Sequence, residues 1–209
     1  MPDGSIDFWF SVGSTYSYLS IARLPGLERA HDVEVRWRPF SVRRIMREMD
    51  NRFLQGKPEK YAYMWRDIER RATMHGIECR VPVPHPLQEF DTANRVAVLA
   101  ALEGWCPEYV RATYRRWFIE GQEPGSEPNL SESLRQIGQD PARVIPLAAG
   151  TEVGDAYERA TDEARALGIF GAPTFAVGRE LFWGDDRLED ALSWHLHGRV
   201  ARHAASGGL

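Results

Sequence analysis

Two serines, Ser14 and Ser17, stand three residues apart where a strand-like aromatic run ends and a helical pattern begins. The start of a helix offers free backbone N–H groups and the positive end of the helix dipole, and both favour a bound anion. A serine hydroxyl there can donate to such an anion, whereas it cannot form a disulfide, so dithiol exchange is excluded. Ser14 is therefore a candidate anion-binding residue, and the simpler alternative is that Ser14 or Thr15 caps the helix.

A second candidate site lies near the other end of the chain, where Phe182–Arg187 closes a strand-like run and opens the last helix. Asp185 and Asp186 could accept hydrogen bonds from a ligand ammonium group, while free N–H groups of the same turn could bind a carboxylate. An α-amino-acid end group carries both charges and would suit this turn. Acidic residues at a helix start are also commonly caps, so that alternative stays open.

The elements that must position the first site are predicted over the first 40 residues. Ile6–Ser11 is an aromatic and β-branched run, typical of a buried strand. A helical pattern follows, which Pro25 is expected to kink or end. Alternating apolar and charged residues from Val33 to Trp37 predict a half-buried second strand. A strand–helix–strand unit of this length implies a parallel strand pair with a right-handed connection.

The middle of the chain, residues 41–167, predicts a block of helices. The segment Lys57–His75 carries apolar residues at three- and four-residue intervals, which is typical of an amphipathic helix. Gly76–Pro86 contains three prolines and is predicted to be an extended connector. Further helices are predicted over Leu87–Gly104, Pro107–Gly121, Asn129–Gly138, Pro141–Gly150 and Val153–Leu167.

After residue 167 the strand pattern returns. Two apolar runs flank a three-residue turn, Gly178–Glu180, which predicts a hairpin, and Asp185–His197 reads as a closing helix. The layout is βαβ, a helical insertion, then ββα. This order predicts an α/β, thioredoxin-like fold, with residues 1–40 and 168–209 in the thioredoxin-like domain and 41–167 in an inserted all-helical domain.

The predicted fold gives a role to the segment Gly171–Phe175. In thioredoxin-like proteins a cis-proline precedes the third strand and faces the start of the first helix, and Pro173 occupies that place. The cis bond would leave the N–H and C=O of Ala172 free to pair with an extended peptide.

Together these motifs resemble the 2-hydroxychromene-2-carboxylate isomerase family, which is related to kappa-class glutathione transferases and more distantly to DsbA. The resemblance covers nearly the whole chain. It rests on Asp7-Phe8-Trp9-Phe10, Ser14-x-Tyr16-Ser17-Tyr18-Leu19, Trp37-Arg38-Pro39-Phe40, Asn51-Arg52, Tyr63-Met64-x-x-Asp67, Gly168–Phe175 and Phe182-Trp183-Gly184-x-Asp186-Arg187. Thr15 stands where the family usually has proline, and Gly13 where it commonly has leucine. Both departures are expected to loosen the turn.

The resemblance implies a glutathione-dependent isomerase that converts 2-hydroxychromene-2-carboxylate to trans-o-hydroxybenzylidenepyruvate during the breakdown of naphthalene-like compounds. The glutathione thiolate would add to the substrate and leave again after the adduct has opened and rotated. By position, Ser14 would face the glutathione sulfur and Ala172 would pair with the tripeptide backbone. The residues that would hold its γ-glutamyl end are Trp183, Gly184, Asp185 and Asp186.

The same resemblance implies contacts with a small aromatic carboxylate substrate at Asn51, Arg52 and His85. A carboxylate also favours a nearby cation, and four arginines crowd the segment after the second strand: Arg43, Arg44, Arg47 and Arg52. For most of them a solvated surface position is the simpler interpretation. Only Arg52, beside Asn51, has a positional reason to face the substrate. His85, between two prolines, could equally lie in a surface loop.

Three other functions compete with this interpretation. A kappa-type glutathione transferase would use the same thiolate site but release a stable conjugate. A serine hydrolase would place its nucleophile at Ser14, but the G-x-S-x-G pattern fails because Tyr16 stands where the second glycine should be. A non-catalytic thioredoxin-like module would bind glutathione without turnover.

Composition excludes several broad classes. The 209 residues carry 26 Lys and Arg against 30 Asp and Glu, a balance that argues against a nucleic-acid partner. No apolar run approaches the roughly 18 residues of a membrane span. Two cysteines without a C-x-x-C pattern indicate neither a disulfide framework nor a zinc site and favour a cytoplasmic location; we predict no metal site. Relatives in the family often pair, so a homodimer is also an expectation.

Overall fold

The computed structural model describes residues 5–51 and 56–200. Its elements, in chain order, are β1 (Ser5–Phe10), α1 (Ser17–His31), β2 (Glu34–Pro39), α2 (Val42–Glu48), α3 (Pro58–Met74), α4 (Phe90–Glu103), α5 (Cys106–Glu120), α6 (Asn129–Gln136), α7 (Pro141–Ala149), α8 (Thr151–Ala166), β3 (Thr174–Val177), β4 (Glu180–Trp183), a 3₁₀ turn (Asp185–Arg187) and α9 (Leu188–His197).

One mixed sheet, with strand order β2-β1-β3-β4, forms the centre of the molecule. β1 runs parallel to β2 and antiparallel to β3, and β4 pairs antiparallel with β3. Phe8, fully buried in β1, lies opposite Trp37 of β2 and Phe175 of β3. Its ring centroid is 5.1 Å from that of Trp37 and 5.3 Å from that of Phe175, so aromatic packing adds to the backbone pairing.

This topology confirms the predicted thioredoxin-like fold, because the βαβ and ββα units share one sheet and α2 to α8 lie between β2 and β3 in sequence. The division into two domains at residues 40 and 168 stays a prediction. Buried apolar residues of both parts form one continuous core. None of the helices within the described ranges is long and apolar enough to cross a membrane.

Several local predictions were wrong. Of the two outcomes expected at Pro25, a kink or an end, the end does not occur, because α1 continues to His31 and closes where Asp32 adopts a left-handed conformation (φ 53°). Proline removes one backbone donor, and the buried face that precedes it holds the helix on the sheet. The hairpin turn has two residues rather than three, because Glu180 already pairs with Val177. Residues 185–187 form a 3₁₀ turn, so the last α-helix starts at Leu188.

Candidate functional site

The turn between β1 and α1 is fixed by two helices of the helical block. Asn94 of α4 is fully buried and binds both backbone groups of Val12, accepting from its N–H at 2.7 Å and donating to its C=O at 2.8 Å. Tyr114 of α5 places its hydroxyl 3.1 Å from the Ser11 carbonyl oxygen and 3.0 Å from that of Ser14. The backbone that leads into α1 is therefore held from both sides.

Gly13 is required inside this turn. Its φ of 111° lies in a region that L-residues rarely adopt, and a Cβ would stand 3.0 Å from the Phe90 ring and 3.1 Å from a Leu87 methyl carbon. Thr15 is buried as well, and its hydroxyl lies 3.3 Å from the Met64 sulfur. The expectation that Gly13 and Thr15 loosen the turn is not met, because neighbouring side chains fill the space around both residues.

The Ser14 hydroxyl points across the site and donates to the Ala172 carbonyl oxygen at 2.8 Å. The alternative that Ser14 or Thr15 caps α1 is wrong. The cap position belongs to Tyr16, whose side chain makes no cap hydrogen bond and instead donates to Asp67 of α3 at 3.0 Å. The side chain of Ser14 is thus available to the site rather than committed to the helix.

The bond between Ala172 and Pro173 is cis, as predicted. Within the described part of the chain, the Ala172 N–H has no hydrogen-bond partner, in line with the prediction. The prediction that the Ala172 carbonyl is also free was wrong, because that oxygen accepts the Ser14 hydroxyl. The predicted topology brings these two segments together although they are 158 positions apart, but it does not indicate a hydrogen bond between them.

An exposed aromatic pair flanks the cis-proline. Trp183 and Phe170 are 52% and 42% exposed, and their ring centroids are 4.9 Å apart. The indole nitrogen of Trp183 lies so close to Gly171 that a Cβ at that glycine would collide with it. Trp183 therefore packs against the backbone of Gly171, the residue before Ala172.

The two aspartates of the predicted amino-acid turn have different surroundings. Asp185 is buried, and its Oδ2 lies 2.8 and 2.6 Å from two nitrogens of Arg71, with Arg23 at 3.9 Å. Burial raises the pKa of Asp185, against the opposing effect of both arginines. Asp186 is exposed, and the nearest cation is Arg187 at 3.6 Å. Neither carboxylate accepts a backbone N–H from any described residue, so capping is not their role.

His85 lies in the proline-rich connector and packs against α3. Its ring centroid is 5.8 Å from that of Tyr61 and 5.9 Å from that of Trp65. Burial lowers the pKa of His85 to about 4, and the nearby charge of Arg43 acts in the same direction. Its Nδ1 is buried and has no hydrogen-bond partner among the residues described. The structure therefore places a neutral imidazole with an unused nitrogen at this position.

The segment of predicted substrate contacts is described only in part. Arg52 lies outside the described residues. Asn51 is exposed just after α2, and its N–H bonds to the Met46 carbonyl at 2.8 Å. Arg44 forms a salt bridge with Glu158 on the surface, as the simpler interpretation expected.

Arg43 is one of the four arginines named from the sequence, but only Arg52 was given a positional reason to face the substrate. The guanidinium carbon of Arg43 lies 3.9 Å from the centroid of the Phe90 ring, and one of its nitrogens donates to the Leu87 carbonyl at 2.8 Å. The same Phe90 and Leu87 side chains pack against Gly13, directly before Ser14. Arg43 is therefore a half-buried cation, and the Phe90 ring lies between it and the turn. Helix α2, which carries it, buries only Val42 and Ile45, too few positions for a periodic signal.

A comparison with known proteins places this arrangement in a family. The model of the DSBA-like thioredoxin domain matches residues 5–193. The chain belongs to the DSBA-like thioredoxin domain family. This confirms the predicted relationship to DsbA and is consistent with a cis-proline opposite the start of the first helix.

Individual relatives of this DSBA-like chain carry two kinds of name. It is similar to a 2-hydroxychromene-2-carboxylate isomerase of Sphingobium xenophagum, with 26% identity over 194 residues that cover 92% of this chain and 98% of the relative. It is also similar to glutathione S-transferase kappa 2 of Caenorhabditis elegans, with 25% identity over 197 residues that cover 88% of each. A solved structure of a 2-hydroxychromene-2-carboxylate isomerase shares the fold, with a TM-score of 0.79 at 24% identity over 88% of this chain and 90% of that chain.

Proposed function

We propose that this protein is a glutathione-dependent isomerase that converts 2-hydroxychromene-2-carboxylate to trans-o-hydroxybenzylidenepyruvate. The observation that carries the proposal is the Ser14 hydroxyl, held at the start of α1 and opposite the cis-proline segment. The similarity to isomerases of that name over nearly the whole chain supports the reaction. The thiol of glutathione, when bound, supplies a nucleophile that adds to a conjugated carbon and is later released.

The residues present fit a tripeptide thiol. The free N–H of Ala172 can pair with an extended peptide, and the aromatic pair Phe170 and Trp183 gives that peptide an apolar surface. The exposed Asp186 can accept from the ammonium group of a γ-glutamyl end. Asp185 is assigned to the same end, where its ion pair with Arg71 holds the turn in place.

Ser14 and the helix can stabilise a thiolate without a basic residue. Lowering a thiol pKa of about 8.5 by two units requires about 2.7 kcal/mol. A helix N-terminus contributes about 0.3–1 kcal/mol, or up to about 2 when partly buried. A hydrogen bond to a charged group contributes about 1.5–3 kcal/mol. The helix and the hydrogen bond together contribute about 2–5 kcal/mol, a range that includes the required free energy.

For the substrate, we assign the carboxylate to Arg43 and a hydroxyl group to His85. Arg43 is half-buried beside the turn, where a guanidinium can bind a planar carboxylate through two N–H groups. His85 is neutral near pH 7, so its unpartnered Nδ1 can accept a hydrogen bond. Asn51 and Arg52 remain predicted contacts of the same substrate.

The test is an isomerisation assay with and without glutathione, using the wild type and Ser14→Ala. We expect turnover to require glutathione and the variant to keep its fold, as measured by circular dichroism, while kcat falls about 10- to 100-fold, the value of one charge-assisted hydrogen bond. Ser20→Ala, a buried serine of α1 without a hydrogen-bond partner, is the matched control. Equal kcat in Ser14→Ala would exclude this role for Ser14.

A kappa-type transferase is the second candidate, favoured by the similarity to glutathione S-transferase kappa 2. It differs in the fate of the adduct, because a transferase releases a stable conjugate and an isomerase releases free glutathione. An assay with chlorodinitrobenzene, run beside the isomerisation assay, separates the two. Binding of glutathione with no turnover in either assay would indicate a non-catalytic binding module.

A further inference from the structure

We infer that Arg23 of α1 is a positioning residue of the candidate site. It holds the backbone of the turn that carries Asp186 and joins this turn to α1, the helix that begins just after Ser14. Through Arg23, the helix that would bind the thiol of a ligand also fixes the group that would bind its ammonium. This role rests on the proposed use of glutathione.

The Arg23 guanidinium contacts three acceptors from three elements. Its Nε donates to the Leu19 carbonyl, one turn earlier in α1, at 3.2 Å. One terminal nitrogen donates to the main-chain carbonyl of Asp185, and the other donates to the carboxylate of Glu189 in the first turn of α9. The Arg23 side chain is only 10% exposed. Because a guanidinium is planar and its donors point in fixed directions, this one group holds α1, the turn and α9 in one arrangement.

Two other contacts anchor the same turn to different parts of the molecule. Arg71 of α3 donates to the Asp185 carboxylate, with its Nε at 2.8 Å from Oδ2. The Gly184 N–H donates to the Pro173 carbonyl at 2.9 Å, which ties the turn to the cis-proline segment. Arg23 adds the connection to α1, and it acts on the main chain of Asp185 rather than on its carboxylate, from which it is 3.9 Å away.

The direction of the Asp186 carboxylate depends on the backbone that Arg23 holds. Asp186 is exposed, and its carboxylate lies so close to Gly184 that a Cβ at that glycine would collide with it. Gly184 has a φ of 113°, a conformation that L-residues rarely adopt, so the carboxylate lies over a part of the turn that is free of side chains. Loss of the Arg23 contact should therefore shift the acceptor of the ammonium group while Ser14 stays in place.

Position and charge predict opposite effects for the removal of Arg23. Arg23 is a cation bound to the residue next to Asp186, and two cations repel each other. By charge alone, its removal should tighten the binding of a ligand ammonium group. If Arg23 instead positions Asp186, its removal should weaken that binding. The sign of the change in affinity therefore separates the two effects.

The test compares two ligands by calorimetry at neutral pH: reduced glutathione and 4-carboxybutanoyl-cysteinyl-glycine, which is glutathione without its amino group. Arg23→Met keeps the length of the side chain and removes its donors. We expect it to weaken glutathione binding about 5-fold, less than for a buried charge-assisted bond because Asp186 is exposed, and to leave the affinity for the amino-free analogue unchanged. In the isomerisation assay, KM for glutathione should rise by the same factor while kcat stays constant.

Two further variants complete the experiment. Arg23→Lys keeps the charge, but one ammonium group cannot reach three separate acceptors as the guanidinium does, so it should also weaken glutathione binding selectively. This variant keeps the test decisive if Arg23→Met does not fold, as judged by circular dichroism. Arg66→Gln removes an exposed arginine of α3 that pairs with Glu69, and it should leave both affinities unchanged.

Weakening that is confined to glutathione supports the positioning role. Equal weakening of both ligands, tighter binding of glutathione, or wild-type affinities in the Arg23 variants overturns it and leaves the use of glutathione intact. A wild type that binds both ligands equally overturns it too, because the ammonium group then contributes nothing. If the wild type binds neither ligand, the proposed function fails and the role of Arg23 fails with it.

Discussion

His85 is neutral in the folded protein, and the unfolding free energy should therefore depend on pH. Substitution of His85 should remove this part of the dependence. Burial lowers the pKa of His85 to about 4 from an ordinary value of 6.5. Between these values the unfolded chain binds a proton that the folded chain does not. Stability therefore falls as the pH falls through this window, and the contribution is fully present only above about pH 6.5.

The size of the effect follows from the two pKa values. Proton linkage predicts that lowering the pH from 7 to 5 removes about 2 kcal/mol of unfolding free energy through His85 alone. The cause lies in the surroundings of the ring, which packs against Tyr61 and Trp65 and lies near the charge of Arg43. Charging the imidazole would strand a cation there without an acceptor for its Nδ1 proton.

The assay is urea denaturation at several pH values between 5 and 7, for the wild type and His85→Gln. Other groups also titrate in this range, so the quantity to compare is the difference between the two proteins. We expect the variant to lose about 2 kcal/mol less than the wild type over this interval. His31→Gln, at an exposed position, controls for the removal of one imidazole. Parallel curves for the wild type and His85→Gln would refute both the burial argument and the assignment of His85 as a neutral acceptor.

Three further predictions follow from the site. Asp185→Asn should lower the unfolding free energy by about 2–3 kcal/mol, measured by denaturation, because two partly buried guanidinium groups lose their carboxylate. Gly13→Ala should cost about 2 kcal/mol or more and abolish most turnover, since the added methyl group meets the Phe90 ring at a strained φ; unchanged activity would contradict the fixed turn. Arg43→Gln should raise KM for the carboxylate substrate at least 10-fold while the glutathione affinity stays constant; equal losses in both would remove Arg43 from the substrate site.

Local patterns in the sequence were sufficient for most of the fold. The aromatic run of β1, the alternation in β2 and the long amphipathic helix α3 each carry a periodic signal, and the structure has all three elements. An end of α1 at Pro25 was wrongly allowed, because a local rule for proline does not include the packing of the helix on the sheet. Helix α2 was not predicted, because its seven residues span only about two helical turns and its two buried positions, Val42 and Ile45, do not make a repeating pattern.

In the candidate site, the contacts that follow from the predicted topology could be anticipated, whereas the contacts set by side-chain packing between distant elements could not. Ser14 and Ala172 could be paired in advance because the predicted topology brings the cis-proline segment opposite the start of α1. The ion pair between Asp185 and Arg71 could not be predicted. Arg71 lies 114 positions away in the sequence, on a helix whose buried face no local pattern relates to Asp185. For the same reason the sequence placed Asp185 and Asp186 together as ligand groups, whereas the structure buries one against arginine and exposes the other.

The helical block and the sheet contribute differently to the behaviour of Ser14. Asn94 and Tyr114, both fully buried, fix the backbone from Ser11 to Ser14, so little motion is available to the main chain there. The Ser14 side chain in turn donates a hydrogen bond to the Ala172 carbonyl, next to the cis-proline. A turn that is already held in place gives up little conformational entropy when a ligand binds to it.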